Sequence, residues 1–186
     1  MDLFKYPGKH RVLVRTAVAD SELAEALETL RDLPGAGRLF RYECDRSYCN
    51  LTGARLNEYI RQYMGEEFTA KDCRTWGGTL LAAIALAEKG VPETETEGKR
   101  NVAAVMRLVG EKLGNTPAVA RASYVSPAVI EQYLDGRTIV FRPRHLRVVG
   151  ARDTKLDLEE RALLALLRHG EFGARDLRPE FRLHFG

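Results

Sequence analysis

The sequence predicts a mainly helical α+β protein with a small antiparallel sheet near its N-terminus. From residue 52 onward, apolar residues recur at helical spacing between capping residues and Gly or Pro stops. At the N-terminus and over residues 38–50 they alternate in short runs around turns. The composition of the 186 residues, 45% hydrophobic and 30% charged, suits a globular chain and excludes disordered and fibrous folds. A chain of this size buries roughly 70% of its extended surface. The expected organisation is a main domain over residues 1–136 and a basic C-terminal extension with a docking helix over residues 137–186.

The chain opens as a strand or hairpin in which Val12, Val14 and Ala17 alternate loosely with charged residues, until Asp20 supplies an N-cap. A helix to about Leu33 follows, with Leu23, Leu27 and Leu30 on one face and Pro34-Gly35 ending it. Residues 38–50 read as a second short hairpin around Asp45-Arg46. Thr52 caps a helix carrying Leu56, Tyr59, Ile60 and Tyr63, closed by Gly65. Thr69 and Asp72 form a capping box for a helix to Lys89, with Gly90 and Pro92 beyond it. The acidic stretch ETETEG is expected to be a loop before a helix over residues 99–113, whose buried stripe is Val102, Val105, Met106, Val109 and Leu113. Thr116-Pro117 and Ser126-Pro127 each put a cap before a proline at the first helical position, giving two short helices with Tyr124 between them. An extended or irregular stretch after Gly136 leads to Asp157 and Glu160, a capping box for a last helix docked through Leu163, Leu164 and Leu167.

Several function classes are excluded or weakened. The longest nearly apolar stretch, residues 76–87, is well short of the ~20 residues of a membrane helix, and the N-terminus has no secretory apolar run. No membrane partner and a cytoplasmic setting are expected. Cys44, Cys49 and Cys73 are odd in number, with no CxxC pair and no histidine cluster, so they are read as reduced thiols and no metal site is expected. A Cys44–Cys49 bridge across the hairpin is the alternative. No Walker loop, GxGxxG, HExxH or GxSxG is present, nor a close carboxylate pair suited to Mg²⁺, so nucleotide-driven and metal-dependent chemistry lose support and no cofactor is expected. Residues 1–136 carry eighteen Lys/Arg against nineteen Asp/Glu, and residues 137–186 carry eleven against seven. Locally, residues 1–15 hold Lys5, Lys9, Arg11 and Arg15 against Asp2, and residues 99–121 hold five bases against Glu111. Such patches suit a phosphate backbone, although a solvated basic face explains either one alone.

Three elements carry candidate chemistry, each with a plainer reading beside it. In KDCRTWGG, residues 71–78, Arg74 is expected in the first turn of the helix opened by Thr69, where its guanidinium can grip two phosphate oxygens. Gly77-Gly78 inside a helix costs roughly 1 kcal/mol per glycine against alanine, which implies a close approach there. A salt-bridged arginine beside a helix crossing explains the same residues. In LGNTPAVARASYVSP, residues 113–127, Asn115 and Tyr124 bracket a short helix: an amide for a non-bridging oxygen and a phenol for phosphorus. A helix-end asparagine and a core tyrosine are the plainer reading. Lys9 stands at a hairpin turn after Gly8, where an ammonium can reach a neighbouring site and donate a proton, or simply face solvent.

In order, glycine-lysine in a hairpin, FTAKDCRTWGG, a KRNV helix and LGNTPAVARASYVSPAVIE resemble the catalytic domain of bacterial and poxvirus-like type IB DNA topoisomerases, over about residues 3–136. LDLEERALLALL resembles the C-terminal helix of the bacterial members. Thr75-Trp76 and Asn115 separate the sequence from tyrosine recombinases, which share the fold and the spacing. The resemblance implies the helical DNA breaking-rejoining fold and relaxation of supercoiled double-stranded DNA through a 3′-phosphotyrosyl intermediate, without ATP or metal. It makes Tyr124 the nucleophile, Arg74 the clamp on the scissile phosphate, Asn115 a donor to a non-bridging oxygen in the place of a histidine, and Lys9 the general acid. Lys71, Lys99, Arg100 and Arg121 are the residues expected to follow the DNA backbone, the protein acting as a monomer on DNA and associated with the nucleoid.

Family members carry a further active-site arginine upstream of the lysine and a DNA-clamping domain before that, whereas eight residues precede Lys9 here. The chain is therefore expected to be the C-terminal portion of such an enzyme and to react slowly alone. A non-catalytic DNA-binding fragment of the same fold is the second reading and a tyrosine recombinase the third.

Overall fold

The computed structural model describes residues 2–7, 13–18, 20–34, 38–139 and 158–169. Lys9, Arg11, Asp157 and the basic stretch between residues 140 and 157 lie outside them. The described chain forms two compact units, one up to Glu66 and the other from Glu67 onward.

In the first unit, β1 (Asp2–Pro7) pairs antiparallel with β2 (Leu13–Val18), Lys5 opposite Arg15. Helix α1 (Ser21–Asp32) begins where the Asp20 carboxylate accepts the Leu23 N–H, as its sequence predicts, and Leu27 is its buried residue. Its C-terminal carbonyls are satisfied from a distance: the Arg41 guanidinium donates to Leu30 O, Leu33 O and Pro34 O, which places a cation at the negative end of the helix. Strands β3 (Arg41–Cys44) and β4 (Ser47–Asn50) pair around Asp45-Arg46, with Asp45 in the left-handed region at φ 48°. Among the described residues the strands make two separate two-stranded antiparallel ribbons, and the expected small antiparallel sheet near the N-terminus is present as β1–β2. Cys44 and Cys49 are not free thiols; they form a disulfide. The register explains it: Cys44 faces Ser47 across the turn, so Cys49 is its diagonal neighbour on the same face, with Cα atoms 5.9 Å apart. Helix α2 (Gly53–Met64) starts at the Thr52 cap. Tyr59 and Tyr63 leave the core for the surface, their rings tilted against each other with centroids 4.6 Å apart.

The second unit holds the helical core. Helix α3 (Ala70–Lys89) opens at the predicted capping box, the Asp72 carboxylate accepting from both the N–H and hydroxyl of Thr69. Helix α4 runs Glu95–Leu113 and corrects the expected loop: the last four residues of ETETEG are its first turn. Thr94 accepts the Glu97 N–H while the Glu97 carboxylate accepts from Glu93, and acidic residues suit the positive end of a helix. Helices α5 (Pro117–Ser123), α6 (Pro127–Leu134) and α7 (Leu158–His169) follow. Ala82, Leu86, Val102, Val105, Val109, Val129, Tyr133 and Leu163 meet in the centre, so α3 and α4 form a packed pair with α5, α6 and α7 laid against it. No described helix is long and apolar enough to cross a membrane.

Candidate active site

Tyr124 is positioned by α3, from behind. It is the C-cap of α5, with φ −132° and ψ 0°, so the chain turns there and the ring stands clear of helix geometry. Three residues on one face of α3 hold this turn. Thr75 donates its hydroxyl to Ser123 O at 3.3 Å and also to Lys71 O. Thr79, fully buried, accepts the Ser126 N–H at 3.0 Å. Between them, Gly78 leaves the room: a Cβ there would lie 2.4 Å from the Tyr124 carbonyl oxygen. The close approach that the glycine pair implies is therefore the tyrosine's own backbone against Gly78. Gly77 faces open space, and nothing in the structure explains a glycine at that position.

Asn115 is set by a parallel device on α4. Gly114 ends the helix in the left-handed region at φ 67°, and the Asn115 N–H returns to Gly110 O at 2.7 Å. A Cβ on Gly110 would lie 2.8 Å from Asn115 O and 3.1 Å from the Pro117 nitrogen, so this turn too sits on a glycine face.

Two of the side chains meet at one carbonyl, and the third lies against the first of them. Arg74 donates from Nη2 to Leu113 O at 2.8 Å, and Asn115 Nδ2 donates to the same oxygen at 2.8 Å. The Arg74 guanidinium carbon stands 5.0 Å from the centroid of the Tyr124 ring, a cation–π distance. Arg74 is exposed and Tyr124 half-buried, so an anion in solvent has access to the guanidinium. One detail differs from expectation. Arg74 is the fifth residue of α3, just past the first turn, and the cap is already occupied by Asp72; the attraction for an anion comes from the guanidinium and not from free helix N–H groups.

The sequence places this arrangement in a family. A family model described as eukaryotic DNA topoisomerase I, catalytic core, matches residues 3–137. The chain belongs to the DNA topoisomerase I catalytic-core family. A DNA topoisomerase 1B from Acanthamoeba polyphaga mimivirus is 29% identical over 136 residues, 69% of this chain and 40% of that relative, so the chain spans well under half of the length of the viral protein.

Within this topoisomerase-type core the other expected residues fare unequally. Lys9 lies outside the described residues. Lys71, Arg100 and Arg121 are exposed, and Lys71 stands one turn before Arg74 on α3. Lys99 is committed to its own helix, 2.5 Å from Glu95, and its hydrogen bond and charge hold the Glu95 carboxyl below its ordinary pKa. Sequence reasoning missed Thr75, Thr79 and Gly110. Threonines inside a helix read as neutral substitutions, and their role depends on which distant turn lies against them; Gly110, inside a well-patterned helix, was the visible signal.

Proposed function

We propose that this chain carries the strand-breaking and rejoining site of a type IB DNA topoisomerase, with duplex DNA as substrate, engaged by one monomer where the cell presents its nucleoid. The single observation that carries the reading is one constellation drawn from three elements in a chain of this family: Arg74 and Asn115 share the Leu113 carbonyl, and the Tyr124 ring lies against the Arg74 guanidinium.

The chemistry follows from the side chains. The Tyr124 oxygen attacks a DNA phosphorus, forming an O–P bond to the 3′ phosphate while the bond to the 5′ oxygen breaks. The phenol proton passes to solvent as the O–P bond forms, and the Arg74 guanidinium stands beside the ring, 5.0 Å from its centroid. As negative charge spreads over the equatorial oxygens, Arg74 exchanges the Leu113 carbonyl for the two non-bridging phosphate oxygens, and the Asn115 amide exchanges the same carbonyl for one of that pair. Lys9 protonates the departing 5′ oxygen. The broken strand swivels, the 5′ hydroxyl attacks the phosphotyrosine, and Tyr124 is released. The energy of the phosphodiester stays in the covalent link, so neither ATP nor a metal is required. Lys71, Arg100 and Arg121 follow the backbone on either side.

The test is incubation with supercoiled plasmid in EDTA, followed by denaturant and a gel that resolves relaxed circles from protein-linked nicked circles. We expect relaxation with a covalent species that disappears in Tyr124→Phe. No covalent species after prolonged incubation, or one that persists in Tyr124→Phe, overturns the reading.

A further inference from the structure

We infer that α7 fixes the turn of α3 that carries Arg74, with Glu160 and Trp76 as positioning residues; the inference rests on the role proposed for Arg74. The indole N–H of Trp76 donates to Glu160 Oε1 at 3.0 Å, across 84 positions of sequence. Trp76 follows Arg74 by two residues, about 200° around the helix, so Arg74 and Trp76 leave α3 on opposite sides. One side of the turn is thus held to Leu113 and Tyr124 and the other to α7.

The turn needs an outside hold. It runs directly into Gly77-Gly78, the weakest helix formers in α3, so its own propensity fixes Arg74 poorly. Alpha7 is itself firmly seated: Leu163 and Leu167 are buried in the core, and Ala162 and Leu166 pack beside them. Those leucines supply the docking, and Glu160, in the first turn of α7, supplies its register against Trp76. A half-buried indole N–H requires an acceptor, and a carboxylate is a strong one. Helix α7 also lies beyond the residues matched by the family model, so this hold is an addition to the matched core.

Two readouts test this, one chemical and one not. The first is the single-turnover rate of adduct formation on a suicide duplex, beside the duplex affinity. The second is the ring-current shift of the Arg74 side-chain protons over Tyr124, read by NMR on the full chain without DNA. Glu160→Ala and Trp76→Phe should each slow adduct formation by about 10-fold, the scale of a small misplacement, with affinity unchanged, and should move the Arg74 signals toward their free positions. Glu160→Gln keeps an acceptor oxygen and should preserve both. An unchanged rate and an unchanged Arg74 shift in Glu160→Ala overturn the inference, as does a loss confined to affinity. If the wild-type chain forms no adduct while the Arg74 shift still responds to Glu160→Ala and not to Glu160→Gln, the topoisomerase reading falls and the positioning stands. Amide hydrogen exchange of Leu163 and Leu167, buried in the core, verifies in each Glu160 variant that α7 remains docked.

Discussion

Gly77 and Gly78 are adjacent and chemically identical, yet only one of them faces the Tyr124 backbone. Gly78→Ala must push the Tyr124 carbonyl aside, and backbone does not yield as a flexible side chain does. We expect a loss of about 1–3 kcal/mol in denaturant melts, the usual scale of overpacking, together with a displaced nucleophile. Gly77→Ala meets nothing and should instead stabilise the helix by about 0.5–1 kcal/mol. Equal effects at the two positions would contradict this placement. At Arg74 the decisive property is the planar fork, because lysine provides charge without two parallel donors. Arg74→Lys should therefore lower the adduct rate by roughly 10²–10³, as removal of a preorganised donor does, without altering the thermal transition. In the sequence, a resemblance to family motifs singles out Arg74, Asn115 and Tyr124, whereas their spacing alone admits the plainer structural reading. It could not show the Leu113 carbonyl on which two of them rest, since a backbone oxygen carries no residue signature.

At the scale of elements, the holding of the tyrosine turn comes down to single hydrogen bonds between α3 and the α5–α6 junction. Thr79→Val preserves shape but leaves the Ser126 N–H without its acceptor, which should cost about 1–3 kcal/mol; Thr79→Ser should retain most of the stability. Matching melts for valine and serine would show that the bond contributes nothing. Helix boundaries were legible because caps are local: Asp20, Thr52, Thr116 and the Thr69–Asp72 pair all act within three residues of themselves. The start of α4 is ambiguous in the sequence because acidic residues suit both a solvated loop and a first turn, and the Thr94 cap decides between them. The odd cysteine count and the expected compartment favour free thiols, whereas hairpin register determines the Cys44–Cys49 bridge. Tyr59 and Tyr63 occupy a helical stripe in the sequence, but no described partner covers them, and they pair with one another instead.

For the whole molecule, DNA binding is the property that sums many weak contacts. Each phosphate neutralised should add about 0.9 to the slope of log affinity against log salt. Arg100→Ala and Arg121→Ala should each reduce the slope by about that amount, whereas Lys99→Ala should reduce it less, because Glu95 already competes for the ammonium. Equal reductions at all three positions would contradict the assigned pairing. The most direct test of the central claim is to trap the chain on a suicide duplex, digest the DNA with nuclease and the protein with trypsin, and locate the remaining nucleotide by mass spectrometry. The account predicts it on Tyr124 within the fragment 122–137, bounded by Arg121 and Arg137. A nucleotide on Ser123, Ser126 or Tyr133 of that fragment, or on any residue outside it, would contradict the account.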